Sequence, residues 1–401
     1  MGDRALGFVG IIANPASGKD IRRLVSQATT VNNHEKVSIV RRVLLSLFAS
    51  GARRVEIMPD SFGIGARALD GLRDRAGTLA AHDNLEGRPT PTPTPTADSR
   101  ADSRADNRAD RADRRRSRAT TSIIRMPLKN TADDSLYAAQ YLRDAGAGCI
   151  VVLGGDGTCR VVSKRCGDVP LLPISTGTNN VVPDFIEGTV AGLAAAYVAL
   201  QPDVERLQFC HQHKRLLVYV NGEVVDQALV EVALVSGRFV GTRAVWEADR
   251  LRQVFVAHAQ PVNIGMSSII GVVHPIAATD PVGASATIQS QGKPGRFGRS
   301  RGGTAATDGR EVMAPLAPGR FASVSIGEIA ELKPGVRYPV DDGRPAILAL
   351  DGEREIALGE GDDAEVELDL RGPWLVDVER TLLRAVRDGL FLHQERLWQP
   401  Q

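Results

Sequence analysis

The run Gly154-Gly155-Asp156-Gly157-Thr158 combines residue types that together handle phosphate. Its three glycines let the backbone take positive φ and approach a ligand with no side chain in the way. Successive N–H groups in such a turn, with a helix start behind them, bind the oxygens of an anion. Asp156 stands in the middle, suited to hold a metal ion, to take a proton from a substrate hydroxyl, or to do both. The turn follows Cys149-Ile150-Val151-Val152-Leu153, an apolar and β-branched run that reads as a buried strand. Strand, glycine turn and helix in that order make a unit for nucleotide chemistry.

Two further turns belong with it. Asn14-Pro15-Ala16-Ser17-Gly18-Lys19 follows a strand over residues 7–13. It falls short of a P-loop, because Ala13 and Asp20 stand where G-x-x-x-x-G-K-[ST] needs Gly and Ser or Thr. Ser175-Thr176-Gly177-Thr178-Asn179-Asn180 ends a strand over residues 171–174. Its hydroxyls and amides suit a ribose or phosphate, or alternatively the N-cap of a helix over residues 184–200. Both turns leave strands at the edge where ligands of open α/β sheets bind. His211-Gln212-His213 has metal-ligand residue types but no supporting carboxylates or further histidine spacing, and reads as a solvated strand end.

The elements that must position these turns alternate. Strands read over residues 7–13, 55–58, 123–124, 149–153 and 171–174. Helices read over 37–49, where Val40, Val43, Leu44 and Leu47 keep helical spacing before Gly51, and over 133–145. That order predicts an α/β, Rossmann-like domain with a parallel sheet over residues 1–204. From about residue 205 the chain reads as strands at 216–223, 229–235, 267–273, 322–326 and 346–350, giving a β-rich domain over 205–372. Residues 279–312 are rich in Gly, Ser and Thr and read as a long loop. Leu375, Val378, Leu382, Val386 and Leu390 share one face of a terminal helix, with Pro373 near its start, in a last segment over 373–401. Residues 86–121, a Pro-Thr repeat followed by Ala-Asp-Ser-Arg and Ala-Asp-Arg units, lack the apolar content to offset ordering entropy. They read as a disordered insert in a surface loop.

Bulk properties narrow the function classes. With 49 Lys and Arg against 48 Asp and Glu, the net charge of +1 argues against a nucleic-acid coat or a membrane-surface protein. Cys149, Cys159, Cys166 and Cys210 have no CxxC spacing, so neither a disulfide framework nor a zinc site is indicated. The apolar run at 8–12 is too short for a signal peptide or a membrane span, which predicts a cytoplasmic protein. The partners expected are a nucleotide and a small-molecule substrate, without nucleic acid or membrane, and a homo-oligomer stays open.

Taken together, Asn14-Pro15, Ser17-Gly18-Lys19, the Gly154–Thr158 turn, Gly177-Thr178-Asn179-Asn180 and Asp351-Gly352-Glu353 resemble the superfamily of NAD kinases, diacylglycerol kinases and sphingosine kinases. Within it the chain is most similar to the NAD-kinase-like group that includes acetoin-catabolism protein X. The resemblance covers nearly everything except the 86–121 insert. It implies an N-terminal α/β domain, a C-terminal β-sandwich, a nucleotide site between them, and a last segment packing back on the first domain. It also implies that Asp156 is the base or its orienter, while Gly154, Gly155, Gly157 and Thr158 cradle the phosphates of ATP, bridged by Mg²⁺. Asn14, Pro15, Ser17, Gly18, Lys19, Thr178, Asn179, Asn180, Asp351, Gly352 and Glu353 would complete the binding site, with the metal ligands unassigned.

One departure bears on the substrate. NAD kinases carry an Asn-Glu pair where this chain has Val230-Glu231, and a site built around a hydrogen bond discriminates strongly once the partner is gone. The Gly177–Asn180 loop also looks like the lipid-kinase version. Three functions follow: an ATP-dependent kinase with NAD as first acceptor, forming NADP; a kinase acting on a lipid or small alcohol; or a non-catalytic nucleotide-binding accessory protein of acetoin catabolism.

Overall fold

Every residue of strand β4 (Ala147–Gly154) is buried. The strand sends Cys149, Val151 and Leu153 into one core and Ile150 and Val152 into another. Two-sided burial is why its sequence is a continuous apolar run rather than an alternating one. The computed structural model describes residues 7–17, 31–72, 120–177, 179–237, 248–289, 310–341, 343–352 and 354–391. In it β4 is central to a seven-stranded sheet that also contains β1 (Phe8–Ala13), β2 (Arg54–Ile57), β3 (Thr120–Ile123), β5 (Leu171–Ser175), β6 (Cys210–Gln212) and β18 (Trp374–Val376). The order is β3-β2-β1-β4-β5-β18-β6. Strands β1 to β5 are parallel, whereas β18 runs parallel to β5 and antiparallel to β6, so the sheet is mixed. Strand order reverses between β1 and β4, the position where such sheets open a ligand crevice.

Helices cover both faces. α1 (Asn33–Ala49) starts earlier than its apolar spacing predicts, because the Asn32 side chain accepts from Glu35 N at 2.9 Å and caps it. α2 (Ala132–Asp144) and α3 (Asp156–Ser163) pack on the opposite face. α4 (Gly188–Ala199) begins four residues later than expected. Glu187, not the 175–180 turn, caps it by accepting from Thr189 N at 2.6 Å. The third strand begins at Thr120, inside the stretch expected to be disordered, because it pairs with β2 from Arg54 onward. Ile124 lies beyond that strand, and residues 86–119 lie outside the described residues.

The remainder is two antiparallel sheets. One holds β9 (Glu231–Ser236), β10 (Leu251–Val256), β11 (Gly283–Gln289), β12 (Arg310–Ala317), β13 (Arg320–Leu332), β15 (Ala346–Leu350) and β16 (Arg354–Leu358). The other holds β7 (Arg215–Val220), β8 (Glu223–Ala228), β14 (Arg337–Pro339) and β17 (Ala364–Asp369). Leu216, Val218 and Val366 of the small sheet share a core with Val232, Leu234 and Leu348 of the large one, which makes a β-sandwich. Asn221-Gly222, with φ of 52° and 84°, turns β7 into β8, as such a pair favours between strands.

Three expectations are corrected here. Residues 267–273 contain a short helix, α5 (Ser267–Gly271), where a strand was expected. A brief apolar run fits either element, and here Ile269 and Ile270 are buried against the outer face of the large sheet. Residues 283–289 and 310–312 are strand rather than loop, while 290–309 lie outside the described residues. Leu375 belongs to β18, so the terminal helix α6 (Val378–Arg387) starts after it, capped by Asp377. Thr381 and Ala385 form its buried face, and Val386 is 59% exposed. The helix packs on α4, where the Tyr197 hydroxyl donates to Asp388. No helix among the described residues is long and apolar enough to cross a membrane.

Candidate functional site

Three turns meet at the carboxyl ends of β1, β4 and β5 and are fastened by side chains. Asn14 Nδ2 donates to Thr158 Oγ1 at 3.0 Å, joining the first turn to the glycine turn. Ser17 Oγ and Thr176 Oγ1 share a hydrogen bond of 3.1 Å, joining the first turn to the third. Asn180 Nδ2 donates to Ser175 Oγ at 2.8 Å and closes the third turn on itself. Lys36 of α1, fully buried, donates from Nζ to the carbonyls of Asn14 at 2.8 Å and Ser17 at 2.6 Å. The sequence reading missed it, although a lysine placed four residues before Val40 on an apolar helical stripe was a visible signal.

Asp156 is the first residue of α3 and 9% exposed. Its carboxylate accepts from Val181 N at 3.0 Å and Val182 N at 2.8 Å, so it organises the loop that follows β5. The glycines beside it do not use positive φ as expected; Gly155 sits at −108°. They are required by crowding instead. A Cβ on Gly154 would run into the Thr158 side chain, and one on Gly155 would lie 2.8 Å from Asn180 Oδ1. Gly18, Lys19, Thr178 and Glu353 lie outside the described residues.

Beside the turns opens a crevice of about 750 Å³ lined by residues 14–16, 58–61, 130–135, 157, 160 and 161. That size suits a ligand of nucleotide dimensions. Pro15 and Gly157, both expected at the site, form part of its wall. The segments 58–61 and 130–135 were not anticipated. Asp60 accepts from Phe62 N at 2.9 Å and Ile64 N at 2.8 Å, and burial raises its pKa. Asp134 accepts from Lys129 N at 2.9 Å and Asn130 N at 2.8 Å, and Thr131 caps α2. The sequence signal there was ordinary turn and cap chemistry, which marks a helix start and not a ligand.

The β-rich domain meets α3 behind this crevice. Asp351, at φ 46°, and Gly352 turn β15 into β16, but neither lines the crevice. The Asp351 carboxylate accepts from Leu229 N at 2.9 Å, Val230 N at 2.8 Å and Glu231 N at 3.2 Å. Arg160 of α3 lies 3.9 Å from both Asp351 and Asp226. Lys164 pairs with Asp226, and Gln227 Nε2 donates to Ser163 Oγ at 2.8 Å. Burial raises the Asp351 pKa against the pull of Arg160. Burial acts the same way on Asp226, but Lys164 and Arg160 together hold that carboxyl below its usual range. Val230 is fully buried in the core that holds Ile150 and Val182, away from the crevice wall. Asn179 has an inward oxygen, Oδ1, with no hydrogen-bond partner.

His213 is not a solvated strand end. It is 2% exposed, its Nε2 hydrogen-bonds the Leu229 carbonyl at 3.1 Å, and burial pushes its pKa down to about 3. Burial near the inter-sheet crossing overrides the polarity of the His-Gln-His run. Among the described residues no group of three or more His, Cys, Asp or Glu is placed to hold a metal ion. All four cysteines are free and buried, and burial pushes the Cys166 and Cys210 thiols up to about 12, so they are poor nucleophiles.

Residues 9–201 match the ATP-NAD kinase N-terminal domain, and residues 214–371 match the acetoin catabolism protein X C-terminal domain. Acetoin catabolism protein X of Cupriavidus necator is 33% identical over 389 residues, covering 95% of this chain and 93% of that protein. The two matched regions meet near His213, where the chain passes from β6 of the mixed sheet to β7 of the sandwich. A kinase-like glycine turn in an α/β sheet, joined to this sandwich and aligned almost end to end with that relative, places the chain in the acetoin catabolism protein X family.

Proposed function

We propose that the chain is an ATP-dependent kinase that transfers phosphate to the hydroxyl of a small molecule, with NAD as the first acceptor to test. The observation that carries this reading is the fastening of the three turns, Asn14 to Thr158 and Ser17 to Thr176, beside the crevice at the β1/β4 reversal. Phosphoryl transfer gains most of its rate from positioning and charge stabilisation, and pre-fastened turns at a helix start provide both. In this reading the acceptor oxygen bonds the γ-phosphorus, the bond to the β-phosphate oxygen breaks, and ADP leaves. Asp156 takes the hydroxyl proton or orients the group that does. Mg²⁺, when bound, neutralises phosphate charge. Mg²⁺ is commonly held by one or two carboxylates and the phosphates themselves, and Asp156 fits that mode without a protein cage. The setting is cytoplasmic, where ATP and NAD are held.

The name of the Cupriavidus relative adds acetoin-like alcohols to the acceptors worth testing. NADP formed from Mg-ATP and NAD above an Asp156→Asn control supports the NAD reading. ATP consumed only with an alcohol or lipid moves the acceptor to that class.

A second reading, nucleotide binding without turnover, is favoured by one observation. The Asp156 carboxylate is already engaged by Val181 N and Val182 N. Calorimetric binding of ATP or NAD with no product from any acceptor establishes it, and turnover removes it.

A further inference from the structure

Arg160 lies four residues beyond Asp156, one turn along α3, and is 2% exposed. Its Nε and Nη1 have no hydrogen-bond partner. Leaving charged donors buried and unmet is costly, so the arrangement calls for an occupant or a purpose. Pairing with the neighbouring carboxylates does not supply one. Asp226 and Asp351 each stand 3.9 Å away, beyond hydrogen-bond distance. Both carboxylates are also served from elsewhere, Asp226 by Lys164 and Asp351 by three peptide N–H groups. They balance the guanidinium's charge without using its donors.

Arg160 also lines the crevice, together with Gly157 on the same helix and Asn14 on the opposite turn. The crevice therefore holds a helix start and, at its back, a buried guanidinium with open hydrogen-bond capacity. A planar fork of N–H donors fits the oxygens of a phosphate far better than a point charge does. We infer that Arg160 is an anion-binding residue of the crevice, donating from its guanidinium to phosphoryl oxygens of a ligand seated at the glycine turn. That the anion belongs to a nucleotide rests on the kinase reading above; that an anion binds does not. The charge is balanced by Asp226 and Asp351 of the β-rich domain, so both domains build the site.

Calorimetric titration of the full-length chain with inorganic pyrophosphate, and separately with adenosine, tests this at fixed salt. The wild type is expected to bind pyrophosphate. Arg160→Lys, which keeps a charge between the two carboxylates but loses the fork, should weaken that binding about tenfold, and Arg160→Gln about a hundredfold. Adenosine affinity should stay within about twofold in both variants. Pyrophosphate binding retained in the variants, or absent from the wild type, overturns the inference. So does a parallel loss of adenosine binding, which would mean that Arg160 only holds the fold. If Arg160→Gln does not fold, Arg160→Lys decides alone. Arg160-dependent pyrophosphate binding in a protein that neither binds adenosine nor consumes ATP keeps the anion site and removes the nucleotide-kinase reading. ATP turnover indifferent to Arg160 does the reverse.

Discussion

Asp156 and Asp351 are both buried carboxylates that accept hydrogen bonds from consecutive peptide N–H groups, one in each domain. Asp156 fastens residues 181 and 182 and is followed at once by Gly157 of the crevice wall. Asp351 fastens residues 229–231 from a side chain with no exposed surface, behind the crevice and against Arg160. The motif resemblance treated both as site residues. Their surroundings separate them: one carboxylate organises a loop beside a ligand space, while the other holds a domain junction that no ligand-sized space reaches.

The sharpest way to break this contrast is Asp351→Ala. It orphans three N–H groups and removes a charge from beside Arg160, and should cost about 3–5 kcal/mol by denaturant unfolding. A cost as small as that of a surface substitution would show that the junction does not depend on it. Asp156→Asn should instead lower phosphate transfer by about 10²–10⁴-fold, read as product formation, with a much smaller shift in the unfolding midpoint. Equal stability losses in the two variants would erase the distinction. Gly155→Ala should cost about 1–3 kcal/mol, because the new Cβ meets Asn180 Oδ1 at 2.8 Å. Adding Asn180→Ala should recover part of that loss in a double-mutant cycle, tying the glycine to crowding and not to backbone freedom.

The smallest effect concerns pH at the domain crossing. Burial holds His213 at about 3 and His258 at about 4, both below the ordinary 6.5. The unfolded chain therefore binds these protons first as the pH falls. Their stabilising contribution is complete above 6.5 and is lost between 6.5 and about 3. Asp351 acts with the opposite sign. Its pKa is raised, so its contribution is present below the ordinary 3.8 and is lost as pH rises through the raised value. Between pH 7 and 5.5 the fall from His213 alone should be about 1 kcal/mol by urea unfolding. His213→Gln, which keeps an N–H for the Leu229 carbonyl, should flatten that slope.

Much of the first domain was legible because its causes are local. Cys149–Leu153 can be apolar on both faces only inside a covered sheet, and Asn221-Gly222 between apolar runs sets a hairpin. Ser267–Val273 failed because a short apolar run fits helix and strand equally, and the sheet it covers chose helix. The crevice segments at 58–61 and 130–135 carried only turn and cap residues, so nothing in their spacing distinguished a ligand wall from a helix start. Lys36 and Arg160 were hidden for a related reason. A charged residue on a helix reads as solvated until the packing around it is known.

By itself the sequence determined the strand–turn–helix unit at Gly154–Thr158, the sandwich that follows, and the kinase-like residue set. Backbone propensity and apolar periodicity act over a few residues and are written directly in the chain. Only the tertiary structure decided that those glycines answer to Thr158 and Asn180 and not to positive φ. It alone placed Val230 in a core, Asp351 at a junction and Arg160 in the crevice wall. Each of these depends on which distant groups come within a few ångströms, a matter of packing that no local spacing encodes.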